Sequence, residues 1–311
     1  LTDDPNGTSG PPAIISGRLL LTGAAGFVGR RLVDRLARAG RSAVTVLTRD
    51  ATADIALADG WQRITGDLAR AGSWVTELQE SGIETVVHLA ARTGKASRKA
   101  HRADNLDATR ALVAASRESG VNRFLLVSTI AAGFPNRKHY HYADAKVAAE
   151  AAVLASGLDA LVLRPTPVLG PGSPVLASLE RLARMPIPII FGPNQLVQPV
   201  HVEDLVDTVV AALGLPHWGG RIVELGGPVT LTNRDLLQRI RAERGLAPRR
   251  FLTIPFEPLR TILAAVEPLL LPFLPFTAGQ LAAFANPAVA GAYSGGLGLP
   301  RPSRGLDDML S

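Results

Sequence analysis

Over its first half the chain alternates short apolar runs with longer amphipathic stretches. RLLLTG (18–23), AVTVLT (43–48), QRITG (62–66), TVVHLA (85–90), FLLVST (124–129) and ALVLRP (160–165) are short and rich in branched aliphatic residues, the pattern of buried strands. Between them, helical patterns cover about 27–39, 72–81, 103–119 and 142–156. Strands alternating with helices predict a parallel sheet covered on both faces. Right-handed crossovers then make it doubly wound, an α/β class of Rossmann type.

After Pro165 the texture changes. PTPVLGPGSPV is rich in Pro and Gly. LVQPVHVEDLVDTVVAAL (196–213) reads as a short strand and a helix, and RIVELGG (221–227) as one more sheet strand. The remainder is mostly helical, with proline breaks. Residues 13–170 plus 199–227 are expected to form the sheet domain. Residues 171–198 plus 228–311 are expected to form a smaller, mostly helical substrate lobe. Residues 1–12, polar with Gly and Pro, read as a flexible leader.

Composition narrows the picture by exclusion. No cysteine occurs among the 311 residues, so disulfides, thiolate metal sites and Cys nucleophiles are excluded. This fits a reducing compartment, and a cytoplasmic location is expected. Net charge is +6, much of it in GRRLVDRLARAGR (29–41), which reads as a solvated helix face with some attraction for phosphate. No long basic run interleaved with aromatics suggests nucleic acid. The histidines show no metal-ligand spacing, and there is no Gly-x-Ser-x-Gly elbow.

LLLTGAAGFVGRRL sets Gly23, Gly26 and Gly29 between the first strand and an amphipathic helix. A tight strand-to-helix turn without side chains lets a pyrophosphate approach the backbone, and the helix N-terminus offers N–H groups and positive potential. The second strand ends in Thr48 and Arg49, with Asp50 one step later. An acidic residue at that end would favour the ribose diol of NAD; a guanidinium suits a 2′-phosphate. NADP is therefore preferred over NAD, with Arg30 as a second cation. Asp50 could still serve a ribose if the turn is offset by one residue.

HYHYADAKVAAE (139–150) places Tyr142 and Lys146 four apart, on one helix face. A phenol is a poor acid or base at neutral pH, and a neighbouring ammonium lowers its pKa. That pairing suits proton transfer in a carbonyl/alcohol interconversion. Ser128 and Thr129, at the end of the fifth strand, offer hydroxyls for the substrate oxygen.

Taken together, T-G-x-x-G-x-x-G, GDL (66–68), HLAA (88–91), NLDATRAL (105–112), VSTIAAG (127–133), YADAK (142–146), LRPTPVLGPG (163–172) and QPVHVEDLV (198–206) resemble the extended branch of the short-chain dehydrogenase/reductase superfamily, with its NAD-dependent epimerase- and dehydratase-like members. The resemblance covers about residues 17–230. It implies that Gly23, Ala25, Gly26, Phe27, Val28, Gly29 and Arg30 surround the dinucleotide, with Arg49, Asp67 and Leu68 at its adenosine end. It places Leu89, Ala90, Ala91 and Pro165 at the nicotinamide half. Lys146 is implied to bond the nicotinamide ribose, Thr129 to face the reacting carbon ahead of Ser128, and Asn105 to support the site through the backbone or a water.

The resemblance also has departures. Only twelve residues separate Thr129 from Tyr142, where nucleotide-sugar enzymes carry a longer insertion, and Pro165 follows Arg164 where epimerases often carry Asn. Three functions are open: an NAD(P)-dependent oxidoreductase acting on a carbonyl or secondary alcohol, a nucleotide-sugar epimerase or dehydratase, and a structural or sensory NADP(H)-binding protein. The fold's paired helices suggest a homodimer. IPFEPLRTILAAVEPLLLPFLPF (254–276) is apolar and proline-broken. It reads first as a helical cap buried on the sheet lobe, and less favourably as an apolar substrate lid, a dimer contact or a membrane-surface patch.

Overall fold

The structure, a computed structural model, describes residues 17–274, 276–291 and 297–311; the expected leader, 1–12, lies outside the described residues. Seven strands form one sheet: β1 (Leu19–Thr22), β2 (Val44–Thr48), β3 (Gln62–Thr65), β4 (Thr85–His88), β5 (Arg123–Val127), β6 (Asp159–Pro165) and β7 (Arg221–Leu225). All neighbours are parallel, in the order β7-β6-β5-β4-β1-β2-β3. Strand order reverses between β1 and β4, the switch point at which doubly wound sheets open a ligand crevice.

The continuous apolar strands follow from two covered faces. Leu19 and Leu21 point into one core with Leu32 and Leu36 of helix α1 (Phe27–Arg38) and Leu205 and Val209 of α7 (Val202–Leu213). Leu20 points the other way, toward Trp74 and Leu78 of α2 (Trp74–Glu80), Leu112 of α4 (Ala108–Glu118) and Val153 of α5 (His141–Leu154). Residues 19–21 are all fully buried, at roughly 1.5–3 kcal/mol each.

Three boundaries differ from expectation. The helix expected at 103–119 starts earlier, as α3 (Arg98–His101), capped by the Ser97 side chain. It passes through a π-helical turn (Arg102–Asp107) before α4. Strand β4 stops at His88, so Leu89–Ala91 form a loop, and β5 stops at Val127, so Ser128 and Thr129 lie beyond the sheet. The stretch 196–213 holds two short strands. Leu196–Val197 pairs antiparallel with Leu231–Thr232, and Val200–His201 pairs parallel with Val168–Leu169.

The smaller C-terminal region packs α6 (Pro174–Ala183) against α8 (Asn233–Glu243), and α9 (Phe256–Leu270) against α10 (Ala278–Ala283). A short last helix, α11 (Leu306–Leu310), closes on the first of these pairs through Met309 and Leu310. The segment just before it returns to the sheet domain. Leu299 joins the β1–α7 core, and Arg304 pairs with Asp204 at 2.5 Å and Asp207 at 2.8 Å. Part of 228–311, expected in the second lobe, thus packs on the first.

Candidate active site

The three glycines of the first turn do different work. Gly23 has φ +76°, and a Cβ there would sit 2.6 Å from the Ala90 nitrogen. At Gly29 a Cβ would sit 2.1 Å from the Gly23 carbonyl oxygen, so this glycine lets helix and strand touch. Gly26 is the N-cap of α1, and a Cβ there meets only the Gly23 oxygen, at 3.2 Å. No side chain caps this helix, and no acidic residue lies in its first turn. The turn that leads into it walls a groove of about 450 Å³, lined by residues 22–26, Arg49, Asp67, Leu68, Leu89–Ala91, Arg92 and Asp104. A cradle of bare backbone at an uncapped helix N-terminus fits a dinucleotide diphosphate.

At the far end of the groove the cations and acids are already sorted. Asp50 turns its carboxylate back on Thr52, accepting from the Thr52 nitrogen (2.8 Å) and hydroxyl (2.7 Å), and these bonds hold its carboxyl below the usual range. Arg49 stays exposed, 3.6 Å from Asp104. Arg30 donates to the Ala25 carbonyl at 3.0 Å and lies 3.8 Å from Asp54. Asp67 accepts from the Ala69 nitrogen at 3.1 Å, which orients its carboxylate at the groove wall.

Tyr142 and Lys146 sit one turn apart on α5. The Tyr142 hydroxyl lies near the Thr129 side chain, and burial together with Tyr140 raises its pKa. Thr129 also accepts from the Ala131 nitrogen at 3.2 Å, capping the 3-10 turn Ile130–Gly133. Lys146 is only 1 % exposed. Its Nζ donates to the Val127 carbonyl at 2.9 Å, and burial pulls its pKa down to about 8 against the opposing pull of Glu150. Upstream, His139 adopts a left-handed φ of +64°, rare for a residue with a side chain, and ends the turn that launches α5.

Continuing the same interval reaches Glu150, which the sequence reading passed over. Its buried carboxylate accepts the Ser128 hydroxyl and a bidentate Arg164 guanidinium (2.7, 3.1 and 3.2 Å). Arg164 in turn reaches Glu224 at 3.5 Å. Ser128 is therefore committed to Glu150, while Thr129 faces Tyr142. Pro165, next to Arg164, is buried at the end of β6 and does not line the groove.

Asn105, on the π-helical turn, clamps the loop after β4. Its Oδ1 accepts from the Arg92 nitrogen (2.8 Å) and its Nδ2 donates to the Arg92 carbonyl (3.0 Å). No water is needed for that support. One helical turn back, the His101 ring lies 5.9 Å from the Tyr142 ring. A second network runs beneath. Thr109 donates to the Asn105 carbonyl (2.7 Å), so His88 Nε2 must donate to Thr109 (3.0 Å), and His88 Nδ1 accepts from Thr22 (2.7 Å). His88 is neutral and buried, its pKa pushed down to about 3 by burial and by Lys146. Among the described residues no cluster of three His, Asp or Glu is placed to hold a metal.

Residues 19–226 match the model of the NAD dependent epimerase/dehydratase family. The chain belongs to that family. Among curated relatives it is 33% identical over 210 residues to a ceramide reductase of Caulobacter vibrioides, covering 67% of this chain and 64% of that protein. This chain thus spans under two thirds of the reductase's length. It is 25% identical over 282 residues to the mitochondrial NADH dehydrogenase [ubiquinone] 1 alpha subcomplex subunit 9 of Arabidopsis thaliana, covering 87% of this chain and 68% of the subunit. The fold is similar to that of MoeE5 in complex with UDP-glucuronic acid and NAD, with a TM-score of 0.71 and 24% identity over 94% of this chain and 96% of the other.

Proposed function

We propose that the chain is an NAD(P)-dependent oxidoreductase that interconverts a carbonyl and a secondary alcohol. The observation that carries this reading is the convergence of Tyr142, Thr129 and buried Lys146 at the C-terminal ends of β4 and β5, beside the glycine-turn groove. A bound nicotinamide would supply or accept the hydride. Thr129 holds the substrate oxygen and Tyr142 moves the proton to or from it. Lys146, fixed by the Val127 carbonyl, brings positive charge that favours the phenolate. Burial, with Tyr140 and Glu150 adding to it, raises the Tyr142 pKa, so its tuning rests on the charges that arrive with the ligands.

NADP is the preferred dinucleotide. Arg49, exposed and 3.6 Å from Asp104, is available to a 2′-phosphate, whereas the Asp50 carboxylate is spent on its own turn. An apolar carbonyl substrate is favoured over a nucleotide sugar by the short Thr129–Tyr142 connection and by the similarity to a ceramide reductase. A thermal-shift series with NADPH, NADH, UDP and dTDP tests this, followed by NADPH oxidation over a panel of ketones. Saturating ligand at about a hundred times its Kd adds roughly 2.7 kcal/mol. A shift with NADPH and none with either diphosphate is expected. A further shift with UDP or dTDP on top of NADPH would transfer the assignment to an epimerase or dehydratase.

A further inference from the structure

Helix α9 is apolar on two sides. Leu263 is buried against Phe191 and Leu281, with Leu259 and Ala264 packed beside it. On the outer side Ile262, Ala265 and Leu269 lie at i, i+3 and i+7, and all are exposed. The stripe runs on into the following 3-10 turn, Leu271–Phe273; Leu269 at the end of the helix is 84% exposed and Phe273 in the turn 83%. Of the helix's three charges, Arg260 is buried on Glu257 (2.7 Å), and Glu267 caps Ala278 (3.1 Å). A helix apolar all round is normally buried or in contact with lipid. This one is neither buried on its outer side nor, like any other helix among the described residues, long and apolar enough to cross a membrane. The expectation that 254–276 would be a buried cap holds for one side only.

The tip is placed beside the loop after β4 and beside unpaired positive charge. Lys95, in the loop after β4, donates to the carbonyls of Pro272 (3.1 Å) and Leu274 (2.9 Å). Glu267 and Arg98 both act electrostatically on His141, the neighbour of Tyr142, and Gly279 of α10 packs on the His139 carbonyl and Tyr140. Arg98 and Lys99 are exposed, and neither has a carboxylate partner among the described residues.

From this geometry we infer that the α9 tip, through Leu269 and Phe273, docks on an anionic lipid bilayer surface, with Lys95, Arg98 and Lys99 against the headgroups. An apolar wedge flanked by unpaired cations is complementary to such a surface. A second copy of the chain is a poorer occupant, because a two-fold contact would set the same cations against each other. Docking would bring the side of the molecule that carries His141 and Tyr142 toward the bilayer, where a substrate carbonyl on an apolar chain would be presented.

Sedimentation with phosphatidylcholine vesicles, with and without phosphatidylglycerol, tests the inference without any substrate, so its failure is separable from failure of the Tyr142 reading. Binding to the anionic vesicles is expected, weakened by salt. A roughly tenfold or greater loss is expected in Leu269→Ser/Phe273→Ser and in Arg98→Gln/Lys99→Gln. Both pairs are surface changes, and an unchanged melting temperature would show each variant folded. Equal binding to neutral and anionic vesicles, no binding at all, or undiminished binding by Leu269→Ser/Phe273→Ser would overturn the inference. So would a dimer in vesicle-free ultracentrifugation that this double substitution dissociates, since a second copy would then cover the tip.

Discussion

The Lys146 ammonium donates to the Val127 carbonyl at 2.9 Å, which ties the middle of α5 to the last residue of β5. Thr129, two residues on, faces Tyr142. One hydrogen bond therefore sets the spacing between the hydroxyl and the phenol. It also makes Lys146 a measurable switch. Its pKa in the fold is about 8, below the ordinary 10.5, so between those values the native state binds fewer protons than the unfolded one. Stability should therefore rise with pH over that window. Activity that needs the ammonium should fall as pH passes about 8. Parallel melting and rate profiles check both, and Lys146→Met should flatten each.

Tyr142→Phe should lower kcat for carbonyl reduction by roughly 10²–10⁴-fold, the usual worth of a positioned acid/base. NADPH affinity by titration should be unchanged, because the groove does not include Tyr142. Activity equal to that of the unsubstituted chain would remove Tyr142 from the reaction and support a structural role for the bound dinucleotide.

Glu150→Gln leaves Arg164 beside one fewer buried charge and loosens Ser128. Breaking such a pair costs about 3–5 kcal/mol, and replacing both partners by apolar residues costs far less. Denaturant unfolding should therefore show Glu150→Leu/Arg164→Met more stable than Glu150→Gln. Glu150→Gln should also move the Lys146-dependent limb of the activity profile to lower pH, since Glu150 is what holds that pKa up.

The glycines should separate folding from binding. Gly29→Ala sets a methyl 2.1 Å from the Gly23 oxygen and should destabilise the fold by about 1–3 kcal/mol. Gly26→Ala has ordinary backbone (φ −77°) and one tight contact. It should melt close to the parent yet bind NADPH at least tenfold more weakly, read by calorimetry.

His88 should make the fold acid-labile. Its pKa is about 3 in the fold and 6.5 ordinarily, so stability is lost as pH falls from about 6.5 toward 3. The loss is on the order of a few kcal/mol. Melting temperature against pH should drop over that range in the parent and less steeply in His88→Asn.

Much of this molecule was legible in its sequence, for identifiable reasons. The Leu19–Leu21 run announced a strand buried on both faces, because neighbouring side chains go to opposite cores. Tyr142 and Lys146 stood out through helical spacing and chemistry, and the same spacing carried one turn further would have found Glu150. What did not show was conformation that composition does not encode. RADNLD has ordinary helical residues, yet it winds as a π-turn, and His139 takes a backbone setting usually left to glycine. The exposure of the outer stripe of α9 is hidden from the sequence for a related reason. Apolar residues look alike in sequence whether a neighbour covers them or not.

The π-turn at Arg102–Asp107 has an angular consequence. A residue on an α-helix advances about 100° around the axis, so one residue more than the α ladder holds leaves the segments on either side out of phase by that much. Here α4 keeps Leu112 toward the sheet, while α3 turns His101 to the Tyr142 ring. Deleting a single residue from the turn would restore the regular winding and swing His101, Arg98 and Lys99 around the axis together. The surplus residue works as a phase shifter: it lets one unbroken helical rod serve the sheet with one end and the cleft with the other.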